Sequence, residues 1–264
     1  MSSILRPTPG QQMRRWFVLG AAAFAIVVPA VQTGLHLGLS QAEFAADSDA
    51  TLKVVGWAFS IWGVIYLGLA AYAIRQALPQ TGESETLSAF GWPSALALIG
   101  IGLWIAAAAM DAELATIVII FVSLLALLIP LLVNAMAIRR LGLADRDRWL
   151  TVWPLSLLAG WLSIAAPLNL LTVVTGNGQL PTALSPTVWA ILAMAGVVAL
   201  ALIVTWRIRV LAFALPVVWG LIGAFAAELS RNGTVAFAAL ILAVGLLVAA
   251  VVLVLAERRR IERV

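Results

Sequence analysis

The sequence predicts an all-α fold, a polytopic transmembrane bundle of about eight helices with both termini cytoplasmic, and three observations carry that reading. First, 63% of the 264 residues are hydrophobic and only 11% are charged, whereas a soluble domain needs roughly 25% charged residues to cover its surface. Second, the apolar residues fall into long uninterrupted runs. Third, nearly all the cations fall in every other gap between those runs.

A helix needs about 20 apolar residues to cross the hydrocarbon core. Runs of that kind lie at about 16–38, 54–78, 92–110, 114–138, 149–174, 187–206, 210–228 and 233–256. They are too long for barrel strands and do not alternate. The first run follows Arg6, Arg14 and Arg15 and exceeds the ~7–15 apolar residues of a signal peptide, so it reads as a retained helix. Pro79, Pro93, Pro154 and Pro186 fall near run ends. Pro29, Pro130, Pro167 and Pro216 lie deeper, where they are expected to kink a helix or open a polar gap.

With the N-terminus inside, 14 of the 16 Lys and Arg residues fall on the cytoplasmic side, from Arg6 through the closing group Arg258, Arg259, Arg260 and Arg263. Lys53 and Arg231 alone fall outside, beside Glu43, Asp47, Asp49, Asp111, Glu113 and Glu228. The positive-inside rule therefore selects eight spans and a bacterial inner membrane as the expected location. The formal charge of +4 is spent on topology, which leaves no nucleic-acid footprint. Residues 1–15 and 257–264 read as cytoplasmic ends, 175–186 as a neutral external loop, and 79–91 as a solvated loop. The external segment 39–53 is long enough to fold back over a bundle.

The missing residue types restrict the chemistry. There is no cysteine, hence no disulfide, thiolate nucleophile or cysteine-held metal. Lys53 is the only lysine and lies outside the spans, so a mid-membrane Schiff base is unavailable. His36 is the single histidine and reads as an interfacial polar residue. No Asp, Glu, Lys or Arg lies well inside a run, which argues against ion-coupled transport and against an enzyme.

The 11 tryptophans are the positive signal. Trp16, Trp57, Trp92, Trp149, Trp189 and Trp206 sit where amphipathic indoles anchor an interface. Trp62, Trp104, Trp161 and Trp219 lie deeper. Phe59, Trp62 and Tyr66 share one helix face, as do Trp161, Ala165 and Asn169. Buried indoles and amides need hydrogen-bond partners. Spacing alone leaves two readings open, helix packing aided by Gly56, Gly63, Gly68, Gly100 and Gly102, and an aromatic ligand pocket.

The stretch 57–78, WAFSIWGVIYLGLAAYAIRQAL, resembles the second-helix signature of the tryptophan-rich sensory (translocator) protein family, with Trp62 and Tyr66 at its Trp-to-Tyr spacing. The stretch 154–170, PLSLLAGWLSIAAPLNL, is similar to the family's fifth-helix pattern through Trp161 and Asn169, and Trp104 matches a third-helix Trp. Leu157 stands where that pattern has Tyr, and an apolar residue near Ile101 replaces an Asn.

The resemblance spans residues 16–174, five helices in order, and 187–256 adds three more as in a longer branch of the family. It implies a pocket lined by Phe59, Trp62, Tyr66, Trp104, Trp161 and Asn169 under a lid formed by 39–53. The implied ligand is a tetrapyrrole or lipid-like molecule; no cofactor is required, and porphyrin or haem would enter as ligand. The expected partners are membrane lipid and that hydrophobic small molecule, with a homodimer as one assembly open to the extra helices. A sensor or regulatory protein is the leading expectation. A transporter of a hydrophobic substrate and a structural or assembly subunit of a membrane complex are the alternatives.

Overall fold

The computed structural model describes residues 6–46 and 51–261. Asp47, Asp49 and Arg263, and the side chains of Arg258, Arg259 and Arg260, lie outside them. The described chain is helical without strands, and eight helical segments are long and apolar enough to cross a membrane.

The long helices are α1 (Pro9–Gly34), α3 (Ile61–Ala77), α4 (Glu85–Ala109), α5 (Glu113–Val133), α7 (Trp153–Gly176), α8 (Pro186–Ile208), α9 (Ala214–Glu228) and α10 (Gly233–Ile261). Two short helices, α2 (Gln41–Ala46) and α6 (Ala135–Arg140), lie at opposite ends of the bundle. A 3-10 turn (Gly56–Ser60) leads into α3, a π turn (Arg148–Val152) into α7, and a second 3-10 turn (Leu211–Phe213) into α9.

Local capping moves several boundaries away from the apolar runs. Helix α1 starts at Pro9 because Thr8 and Gln11 form a reciprocal capping box, with Gln11 Oε1 accepting the Thr8 N–H at 2.8 Å. It stops at Gly34, where the chain reverses through His36 and Gly38 in left-handed conformations. The solvated loop expected over 79–91 is corrected: Ser84 accepts the Leu87 N–H at 3.1 Å, Glu85 occupies the first turn, and α4 is already helical from there. Pro93 consequently lies inside α4 rather than near its start. The fourth run is broken at Asn134, whose side chain donates back to the Pro130 carbonyl at 2.9 Å.

Helices α1, α4, α5, α7 and α3 pack in a closed ring, each on the next. Helices α8, α9 and α10 pack on one another and form a second group against the outer side of α7. Helix α7 thus carries both groups, and Leu155, Leu158, Ala159 and Ala166 on it are fully buried. Small residues permit this closeness. A Cβ at Gly160 of α7 would overlap the Phe213 carbonyl oxygen, and one at Gly100 of α4 would overlap the Ser123 hydroxyl. Gly56 and Gly63, by contrast, face open space and have no packing role.

Facing outward are Val64, Leu67, Val118, Ile129, Ile241 and Val248, all more than half exposed, as lipid-facing positions should be. Trp16, Trp57, Trp92, Trp149 and Trp206 are also exposed, in keeping with interfacial anchoring, while Trp189 is half-buried and donates to the Pro181 carbonyl at 3.0 Å. By connectivity, every described arginine except Arg231 falls at the end where α1 begins.

The polar side chains at that end are not merely solvated. Arg14 and Arg15, both under 5% exposed, each place a guanidinium nitrogen 2.7 Å from Glu83. Arg75 pairs with the buried Asp147 and donates to Thr151 at 3.0 Å.

A candidate ligand cavity beneath a short helical lid

At the opposite end, α2 lies across the mouth of the five-helix ring. Ser40 and Glu43 cap it reciprocally, with the Ser40 N–H donating to the Glu43 carboxylate at 2.7 Å and the Glu43 N–H to Ser40 Oγ at 3.2 Å. The Ser40 side chain first, and its N–H second, hold the Glu43 carboxyl below its ordinary value. Gln32 braces the reversal before α2 by donating to the carbonyls of Leu37 and Leu39, each at 3.1 Å. Gly38, at φ +66°, lies so close to the Ala109 carbonyl that no side chain fits.

Phe44 points down from α2 and meets Trp104 edge-on, with ring centroids 5.8 Å apart. Gln41 reaches the Tyr66 hydroxyl. Beyond the lid, the chain is tied down three times. Thr51 and Thr175 hydroxyls lie 2.8 Å apart, the Lys53 N–H donates to Glu228 at 2.8 Å, and the Val55 N–H donates to the Gly223 carbonyl at 3.2 Å. Trp219 of α9 then donates to the Ala58 carbonyl at 2.8 Å. Helix α9 therefore holds the segment that delivers Phe59 and Trp62 to the ring.

Under the lid is a cavity lined by residues of α2, the first 3-10 turn, α3, α4, α5 and α7. Of the six residues expected from the sequence, Phe59, Trp62, Trp104, Trp161 and Asn169 line it. Tyr66 does not; it stacks on Trp62 at 5.1 Å and fixes that ring from behind. Trp161 forms the centre of an aromatic cluster, edge-on to Phe59 at 5.9 Å and to Trp62 at 6.4 Å.

The sequence reading missed Gln41, Phe44, Ile120, Ser123, Leu168 and Thr172. The position of Phe44 inside the expected lid segment was the one available signal, since a Phe in a loop that carries Glu43, Asp47, Asp49 and Lys53 needs cover. His36 is exposed and takes no part in the lining.

Three buried polar atoms around this cavity have no hydrogen-bond partner among the described residues: Trp62 Nε1, Trp104 Nε1 and Asn169 Oδ1. The Asn169 amide nitrogen is used, donating to Thr116 Oγ1 at 3.0 Å, and Thr116 in turn donates to the Glu113 carbonyl. That chain orients the amide with its oxygen free. Each such group costs roughly 1–3 kcal/mol if nothing satisfies it, so two donors and one acceptor face a single cavity in need of partners.

The cavity is small, about 40 Å³ of space open to the centre of a water molecule. Water needs roughly 10–15 Å³ on that measure, so the cavity as it stands accepts water and nothing the size of a macrocycle.

No curated protein and no solved structure matches the chain. A family model described as TSPO-like protein matches residues 15–252, running from the first span into the last and so including the three helices beyond the five-helix ring. The protein is an integral membrane protein, and the chain belongs to the TSPO-like protein family.

Proposed function

We propose that the protein is a membrane sensor or regulatory receptor that binds a hydrophobic, planar molecule with a polar edge, tetrapyrrole-like in class, in the cavity beneath α2. The observation that carries this reading is the set of unpartnered atoms Trp62 Nε1, Trp104 Nε1 and Asn169 Oδ1 around one aromatic-lined void. The indoles would donate to ligand oxygens, the Asn169 oxygen would accept from a ligand N–H or O–H, and Trp62 and Trp161 would cover its faces. The lining supports a reading of binding without turnover: beside the indoles its polar side chains are Gln41, Ser123, Asn169 and Thr172, none a general acid or base near neutral pH. The arginine-rich end would face the cytoplasm of a bacterial inner membrane.

The test is a titration of the purified protein with protoporphyrin IX, read by the porphyrin's own absorbance shift, beside a hydrophobic control dye. Trp104→Phe combined with Asn169→Leu keeps the aromatic and apolar volume and removes one donor and the acceptor. The affinity for protoporphyrin should fall at least about tenfold, equivalent to ~1.4 kcal/mol, while control-dye binding stays the same. Equal porphyrin affinity in the variant would remove the polar recognition from the account.

A further inference from the structure

A second cavity lies at the other end of the bundle, remote from α2. It is about 240 Å³ and is lined chiefly by Arg6, Gln12, Arg15, Trp16, Gln76 and Leu78, where the start of α1 meets the end of α3. Its chemistry differs from that of the almost wholly apolar lid cavity, since arginine and amide side chains line it beside Trp16 and Leu78.

Gln76 is wholly buried, and neither its amide nitrogen nor its amide oxygen has a hydrogen-bond partner among the described residues. Tyr72 lies close to the Gln76 side chain, but its hydroxyl proton goes to Ser94, 2.7 Å away, whose own proton goes to the Gly91 carbonyl. Arg15 donates to the carbonyls of Thr81 and Gly82 and to Glu83, yet its Nε is left without a partner. Glu83 offers one negative charge to both Arg14 and Arg15, so one positive charge is left over before Arg6, exposed at the rim, is counted.

The position supplies the source of the counter-charge. Trp16 at the rim is 57% exposed, and next to it Met13, Phe17 and Trp92 are also exposed and apolar. That is the belt composition of a membrane interface, which sets the cavity at headgroup depth.

We infer that this cavity binds the phosphate-bearing headgroup of an anionic lipid. Its phosphate oxygens accept from Arg6, from Arg15 Nε and from the Gln76 amide nitrogen, and a headgroup hydroxyl donates to the Gln76 amide oxygen. A glycerol-type headgroup carries both functions. A choline headgroup carries the phosphate but has no donor for Gln76 and no net charge.

The test uses the full chain in a neutral detergent, with thermal unfolding followed during titration of short-chain (dioctanoyl) phosphatidylglycerol, dioctanoyl phosphatidylcholine or inorganic phosphate. Phosphatidylglycerol should raise the unfolding midpoint saturably, and phosphatidylcholine should not. Arg6→Ala and Gln76→Leu should each weaken that lipid effect at least about tenfold. Gln76→Leu serves as its own folding control, because replacing an unpaired buried amide with an apolar side chain should not lower the midpoint of the lipid-free protein. Equal shifts with both lipids, or undiminished lipid affinity in both variants, would overturn the site. Saturation by inorganic phosphate with the same dependence on the two residues would uphold the anion chemistry and overturn lipid as its source.

Discussion

Glu83→Gln should destabilise the protein by about 3–5 kcal/mol, the usual consequence of breaking a buried ion pair by removing one partner. The carboxylate is 9% exposed and, among the described residues, is the one acid paired with Arg14 and Arg15, each 2.7 Å away with side chains about 5% exposed or less. A glutamine there keeps the volume but leaves two guanidinium groups in a low-dielectric setting without a counter-charge. The loss falls on the junction of α1 with the start of α4, since Arg15 also holds the carbonyls of Thr81 and Gly82. Reversible unfolding in mixed detergent micelles measures it. A loss below about 1 kcal/mol is the behaviour of a solvent-screened surface pair and would mean that this cluster stands open to water.

The second large effect belongs to Gly160→Ala. The added methyl meets the Phe213 carbonyl oxygen, a backbone atom that no rotamer change can move aside. The helices must part, at a cost of about 1–3 kcal/mol and at the upper end of that range here. Because the second 3-10 turn leads directly into α9, and α9 holds the segment that leaves the lid through Trp219, Gly223 and Glu228, porphyrin binding should weaken as well. Gly196→Ala is the matched control, since a methyl there meets nothing within 4 Å. In mid-helix it should be neutral or stabilising by up to about 1 kcal/mol. Similar losses in both variants would show that glycine itself, rather than the contact with Phe213, sets the result.

The eight spans were legible because hydropathy over twenty residues is a strong, local signal, and so was the face carrying Phe59 and Trp62, because helical spacing is regular. Helix ends were harder. The stretch from Pro79 to Gly91 is polar enough to read as loop, and only the Ser84 cap and the Glu83 pairing, set by a partner some seventy residues away in α1, make it structure.

The cavity was legible in part for a similar reason. Aromatic residues announce themselves by type, and five of the six expected residues line it, but Tyr66 shares a face with Trp62 and still stands behind it. The freedom of Asn169 Oδ1 depends on Thr116 taking the other end of the amide, a contact between two helices that no spacing rule supplies. A six-residue lid helix is too short for any periodicity, and α2 became visible only through what Phe44 and Gln41 touch.

A macrocycle bound beneath α2, as proposed, must lift the lid, because the cavity as it stands is far too small for it. The absence of native cysteine allows two labels to be placed without background. Spin labels at Glu43→Cys, exposed on α2, and Leu114→Cys, 74% exposed at the start of α5, report the height of the lid by pulsed electron–electron resonance. Saturating protoporphyrin IX should shift the distance distribution to longer values, and the Trp104→Phe, Asn169→Leu variant should need correspondingly more porphyrin to do so. Saturable porphyrin binding with an unchanged distribution would contradict the account and place the ligand outside this cavity.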